Sequence, residues 1–389
     1  MLDTEFPRSV GELAAAEWDA LVGADPFLSH AFLAGLERTG CVGPGTGWRP
    51  VPVGVRDGQG RLVGAVAFYL KDHSLGEFVF DWGWASAAQR HGLRYYPKLV
   101  AAVPFSPVTG KRLLVHPEAE SAPVRSRLLG AAEELAEAYD CGAVQWLFPE
   151  PGDREVLREA GYLVREDVQF HWRNRGYGDF EAFLADLTSA RRKQIRKERR
   201  RALEAGFEIT IRYGPDITPA QWAAFHEGYA LTTEMRGAPA YLNREFFRVL
   251  GESLGDRVVL ISAEDRGEPV AGALDLRSET TLFGRYWSAR EEHDFLQFEL
   301  CFYRGIEYCI EQGLDRFEGG AQGEHKVKRG FAPTLTASAH WIRHPGLREA
   351  VADFLERERP EVEAYAREAA EHLPFKEGVE VRIGEAGED

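Results

Sequence analysis

Gln322, Glu324, His325, Lys326, Lys328 and Arg329 crowd into one short segment, with Val327 as its single aliphatic side chain. A histidine beside a carboxylate and an ammonium can move a proton near neutral pH, while a cation stabilises developing negative charge. The glycines at 319, 320, 323 and 330 relax the backbone, which a core element would not want. A solvated loop with ordinary charges is the competing reading. The apolar strand 337–342 follows directly and would tie this loop to a sheet edge.

Three further groups could do chemistry. Glu299 and Tyr303 are one helical turn apart, with Glu307 a turn later, on a helix that is otherwise nearly apolar all round. A carboxylate there is either a general base or half of a structural ion pair, with Arg285 or Arg329 as partner. Arg285 and Trp287 alternate along a strand with Tyr286 between them. Arg285 then grips a phosphate or carboxylate beside an indole wall, or it is an edge arginine over a core tryptophan. Residues 191–201 hold basic side chains at 191, 192, 193, 196, 197, 199, 200 and 201, against a net charge of −15 for the whole chain. Arg192, Arg196 and Arg199 are expected to hold an anion; the alternative is a solvated helix face paired with acidic neighbours. In the first half, Asp81, Lys98 and Arg112 lie among Trp82, Trp84, Tyr95 and Tyr96, a mixture that suits a cleft wall or an aromatic core. Lys98 and Arg112 are expected to face a cleft between domains.

The elements that position these residues alternate strand and helix. Strands are expected at 51–55, 64–70, 78–82, 112–115, 143–148 and 168–172, with helices at 31–38, 94–103, 124–139 and 153–159. The second half repeats that order. Helices at 191–205, 219–233, 244–254 and 295–312 accompany strands at 207–213, 258–263, 269–277, 280–287, 314–318 and 337–342. A helix pair interrupted at Pro360 closes the chain over 346–371. The pattern predicts an α/β (α+β) chain of two units, 1–175 and 176–389, each with a mixed, mainly antiparallel sheet flanked by helices.

Composition narrows the function classes. The 44% hydrophobic and 12% aromatic fractions suffice for packed cores. The acidic balance disfavours a protein that coats nucleic acid. Cys41, Cys141, Cys301 and Cys309 form no CxxC pair, so neither a metal nor a disulfide is expected. No stretch is long and apolar enough to span a membrane, and the start of the chain lacks a signal-like pattern. A cytoplasmic location is the expectation.

The series 116–118, 124–139, 143–148 and 154–162 resembles the second half of a GNAT acyltransferase domain. Segment 189–206 resembles the basic helix that opens the second domain of Fem-type transferases. The segments Asp25 to His30, Phe80 to Trp82, Tyr95 to Lys98, Pro104 to Gly110, Gly284 to Trp287, Phe298-Glu299 and 320–331 are similar in order to a bacterial family of predicted N-acyltransferases, described as peptidoglycan biosynthesis or recognition proteins. The resemblance implies two tandem GNAT-like domains and transfer of an acyl or aminoacyl group to an amine. Acyl-CoA or aminoacyl-tRNA would be the donor, and an anionic precursor the acceptor. Neither half carries the glycine-rich turn that cradles the pyrophosphate of CoA: the matching stretches are 120–126 and 292–297. The long helical arm of some Fem-type enzymes is also missing. His325 or Glu299 is the expected base, and Lys326 or Arg329 the oxyanion partner. Tyr303, Gln322, Glu324, Tyr286 and Trp287 would line the site. A non-catalytic module that recognises a cell-wall precursor, and a tRNA-binding protein, are the other two classes.

Overall fold

The computed structural model describes residues 2–387 other than 236 and 322. The chain divides into two compact units: Met1–Asp167 with Leu335–Ala364 and Glu385–Asp389, and Val168–Thr334 with Tyr365–Gly384. A cut at residue 175 leaves out the return: Leu335–Ala364 belongs to the first unit.

The first unit begins with β1 (Asp3–Glu5), α1 (Ala15–Val22) and α2 (His30–Arg38). Ser29 caps α2 by accepting from the Phe32 amide. Strands β2 (Arg49–Pro50), β3 (Val53–Arg56), β4 (Leu62–Val66) and β5 (Phe68–Lys71) lead to α3 (Trp82–Arg90). Then come β6 (Lys98–Ala101), β7 (Leu114–Val115), α4 (Ser121–Ala138), β8 (Ala143–Leu147) and α5 (Pro151–Glu159). One sheet has the order β1-β3-β4-β7. In the other, β6 lies between antiparallel β5 and parallel β8, and Ser338–Ile342 pairs antiparallel on the far side of β8. The stripe Val124, Leu128, Ala131, Leu135 of α4 packs on Val53, Val66, Leu99 and Trp146.

Two expectations fail here. Residues 94–103 form no helix. Pro97 biases the residue before it away from helical geometry, and the run Lys98 to Val103 is buried throughout with no helical period. Residues 78–82 form no strand; Phe78 has φ +60°, and Asp81 instead opens α3.

The second unit is entered along β9 (Leu163–Arg173), followed by α6 (Phe180–Asp186), the basic α7 (Ser189–Leu203), β10 (Glu208–Tyr213), α8 (Pro219–Met235) and α9 (Arg244–Leu254). An antiparallel run β10-β11-β12-β13 follows, with β11 at Val258–Asp265, β12 at Glu268–Arg277 and β13 at Thr281–Ala289. Trp222 and Phe247 stack at 10° between α8 and α9, with Phe225, Tyr229 and Tyr286 around them. The expected helix 295–312 has three parts: α10 (Leu296–Phe298), a π-helical turn (Glu299–Tyr303) and α11 (Arg304–Glu311). It crosses to β14 (Arg316–Glu318), which lies parallel to β13 and antiparallel to β9. Both units thus share a strand–helix–strand crossover that closes a parallel pair, β6–α4–β8 and β13–α11–β14. The chain ends through β15 (Ala332–Ile342) and α12 (Pro345–Glu371). The latter is one helix: Pro360 removes a hydrogen bond without ending it.

Candidate functional site

The pairing of β13 with β14 ends at Phe283 opposite Glu318, while β13 runs on to Ala289. Beyond Glu318 the chain turns through Gly320 at φ +86° and Gly323 at φ +118° into a single 3-10 turn, Glu324–Arg329. The φ of +118° at Gly323 is a conformation that side chains rarely adopt, so glycine is favoured there. The turn sends Lys326 inward. Its side chain is 2% exposed, and its Nζ donates to the Gly320 carbonyl at 2.7 Å. Among the described residues it has no carboxylate partner. Burial, with Arg285 nearby, pulls its pKa down to about 7.

Arg285 owes its aim to a β-bulge. Leu274 faces Tyr286 and Asp275 faces Gly284, so Arg285 is the extra residue. The alternation that would put Arg285 and Trp287 on one face is broken there. Arg285 turns to Glu318 instead, bonding its carboxylate at 3.0 Å and its backbone oxygen at 3.1 Å. Arg316 approaches the same carboxylate at 3.5 Å. His171 of β9 stands opposite Glu318 and is kept neutral, its pKa pushed down to about 4 by burial. Asp275 is fully buried, and that burial holds its carboxyl well above the usual range. A row of polar groups thus crosses four strands beside Lys326. Tyr286 belongs to the aromatic core, and Trp287 is half-buried with its carbonyl bonded by Thr232.

Glu299, Tyr303 and Arg329 belong to a different cluster. Glu299 is fully buried and takes Arg199 at 2.9 Å and Arg304 at 2.8 Å. Arg199 also bonds Glu307 at 2.6 Å and lies over the Phe180 ring. One turn away, Tyr303 donates to Glu198, which also accepts from Arg329 at 2.7 Å. The Arg329 guanidinium lies 3.6 Å from the Phe298 ring centroid. These contacts clamp α7 to the π turn. His325 is exposed and its ring lies against Phe298 and Phe302. Glu324 accepts from Tyr365 at 3.3 Å. Gln322 lies outside the described residues. Arg285 and Glu299 are therefore held by different sets of partners, and His325, the alternative base, lies against an aromatic pair.

The basic helix is turned differently from expectation. Arg192 donates to the carbonyls of Ala185 and Leu187, Arg196 pairs with Glu181, and Arg199 is the clamp just described. Ile195, Glu198 and Ala202 are the buried positions, so Arg192 and Arg199 flank the packed face while Arg196 meets Glu181 at the surface. Lys193, Lys197 and Arg200 occupy the exposed stripe and make no ion pair among the described residues.

In the first unit Lys98 and Arg112 are buried within the fold. Arg112 donates to the carbonyls of Leu147 at 2.7 Å and Val108 at 2.6 Å, binding loop to strand. Lys98 bonds Asp81 at 2.5 Å, Glu77 at 2.7 Å, Ser74 at 2.8 Å and Gln145 at 3.1 Å. Burial opposes its ammonium, yet Glu77 and Asp81 hold the pKa above the ordinary lysine value. Asp81 also accepts from Tyr95 at 2.6 Å and Gln145 at 2.8 Å. Ser74, Glu77 and Gln145 were not legible as partners from sequence. Asp275, His171 and Glu318 left one signal, a charged or ionisable residue inside an otherwise apolar strand.

The sequence profile of the FemAB-like family, described as peptidoglycan biosynthesis/recognition, matches residues 9–377. The chain belongs to that family. No curated protein matches it. Among solved structures, FemX is similar over 87% of this chain and 98% of its own, at 14% identity and a TM-score of 0.52. The C-terminal domain of a putative lysylphosphatidylglycerol synthetase from Agrobacterium fabrum is similar over 87% and 94%, at 11% identity and a TM-score of 0.52. A tandem GNAT protein from the clavulanic acid biosynthesis pathway covers 89% and 99%, at 16% identity and a TM-score of 0.49. At these identities the likeness to FemX and to the synthetase domain is one of fold: a mixed α/β chain.

Among the described residues of this FemAB-like chain, neither the approach to α10 nor the start of α4 presents a pyrophosphate cradle. The approach to α10 carries Glu291, Glu292 and Asp294, with Asp294 paired to Arg201. Phe295 occupies the left-handed position where a glycine would let backbone amides close on a phosphate. At the start of α4, Glu120 is the capping residue and Pro123 lies in the first turn. These residues do not fit CoA in either unit. No helix among the described residues is long and apolar enough to cross a membrane.

Proposed function

We propose that this chain transfers an acyl or aminoacyl group to an amine on a cytoplasmic peptidoglycan precursor, with Lys326 as the reacting-site base. The observation that carries the reading is a buried lysine with one backbone acceptor and, among the described residues, no carboxylate partner; burial pulls its pKa down to about 7. Such a group can take a proton from the attacking amine and then stabilise the tetrahedral oxyanion as an ammonium. The amine nitrogen bonds to the donor carbonyl carbon, the ester bond to the tRNA breaks, and the amine proton passes through Lys326 to the leaving ribose hydroxyl. Family membership supports the reaction class. Arg285 and Glu318 would position the loop rather than touch substrate, and Glu299 would be the anchor of a clamp. Incubation with aminoacyl-tRNA and a lysine-containing muropeptide precursor should give a product heavier by the donated group on mass spectrometry. Turnover unchanged in Lys326→Met would overturn the assignment.

The acidic approach to α10 favours a second reading, recognition of the precursor without turnover. Binding of the precursor with no product from any donor would select it. In either case we expect the anion-facing side of α7 to be Lys193, Lys197 and Arg200. Replacing all three by Gln should weaken binding of tRNA or a nucleotide-linked precursor and reduce its salt dependence by a slope of roughly 2–3. The melting temperature should stay within about 2 °C, since exposed positions contribute little. Unchanged salt dependence would place the anion elsewhere.

A further inference from the structure

The first unit carries an open cleft of about 610 Å³ that neither the family nor the proposed reaction accounts for. One face of α3 forms a wall, with Trp82, Ser86 and Gln89 one and two turns apart. The loop at His73 and Ser74 faces it, and Tyr96 lies on the floor. Trp82 is 53% exposed, an uncommon state for an indole with a polar cleft beside it.

We infer that this cleft binds a neutral saccharide, with Trp82 as the stacking platform and the Ser74–Tyr96 hydroxyl pair as its fixed polar contact. The pair is built rather than incidental. Ser74 Oγ lies 2.8 Å from Tyr96 OH and accepts from the buried Lys98 ammonium at 2.8 Å. Lys98 is held in turn by Glu77, Asp81 and Gln145. The two hydroxyls are therefore locked in place from beneath, which lowers the ordering cost of a ligand that bonds to them. A hydroxyl pair both donates and accepts, which matches sugar hydroxyls better than a group with a single polarity.

Charge excludes the alternatives. Asp81 stands at the N-terminus of α3 with Glu77 behind it, so the helix end that would attract a phosphate already carries a carboxylate. Arg94 at the rim is paired with Asp140. Burial, with Lys71 nearby, keeps His73 below its ordinary pKa, so it is neutral at pH 7. Strand addition of a peptide is closed here, because β6 is paired on both sides. What remains is side-chain recognition of an uncharged ring by an aromatic face and neutral polar groups.

The inference does not depend on the transferase reading, because turnover plays no part in its test. Chitotriose and maltotriose, titrated separately into the full-length protein by calorimetry, are the probes. At least one should bind with a Kd of about 1 mM or tighter. Trp82→Ala, at an exposed position, should fold normally and lose the binding. Tyr96→Phe should weaken it about tenfold, by one hydrogen bond. No binding of either trisaccharide up to about 10 mM overturns the proposal, as does binding that survives Trp82→Ala. An N-acetylated dipeptide amide that binds more tightly than both sugars, and depends on Trp82, would also overturn it.

Discussion

Lys326→Met is expected to abolish transfer and to make the protein more stable. The lysine has its pKa lowered to about 7 from an ordinary 10.5. In the unfolded chain it binds a proton throughout the window between those values, while in the folded chain it has lost it. Stability therefore rises with pH from about 7 to about 10.5, and the full penalty is present below 7. At pH 7 that penalty is on the order of 4 kcal/mol. Methionine fills similar volume without it and gives up one hydrogen bond, worth about 1 kcal/mol. Thermal melts at pH 7 should show the variant several degrees higher, with the difference shrinking toward pH 10. Transfer should fall by about a hundredfold or more. In the native protein the rate should rise with pH through about 7, as the base form appears. A variant that melts lower at every pH would mean that Lys326 is a structural tie.

Arg199→Met should have the opposite effect. It removes the guanidinium between Glu299 and Glu307, leaving a fully buried carboxylate to Arg304 alone. Breaking one side of a buried pair costs about 3–5 kcal/mol. For a protein of this size that corresponds to a drop of roughly 4–6 °C in Tm. The double variant Arg199→Met, Glu299→Gln should recover much of the loss, because the uncompensated charge is gone. If the single variant melts normally, α7 does not depend on this clamp.

The contrast shows what was legible in the sequence. The order of strands and helices in the second half was readable because its amphipathic periods and glycine turns are local signals. Segment 319–331 stands out in the sequence because glycines and charges concentrate there. Lys326 was readable as a candidate, but its isolation was not, since that follows from how one 3-10 turn folds against β13. Arg285 was placed on the correct strand and on the wrong face, because one bulged residue shifts the alternation. The basic run suggested a ligand grip. Its rotation, set by Ile195, spends Arg192, Arg196 and Arg199 on the protein itself. In the first half, the expected helix 94–103 gives way to a strand over Lys98–Ala101, because a strand buried on both faces has no period to read.

The return of Leu335–Ala364 to the first unit has a consequence for synthesis. Ser338–Ile342 completes the sheet on β8, and Leu347, Val351 and Leu355 cover Trp84 and Tyr95. Until those residues leave the ribosome, β8 is an open edge and the aromatic layer beneath it is wet. At about 5–20 residues per second this delay lasts roughly ten to thirty seconds. The second unit emerges whole in the meantime, apart from its final segment. The later-made unit therefore approaches its folded state before the earlier-made one, and a nascent chain stalled near residue 175 would be a substrate for chaperones or proteases rather than a finished domain.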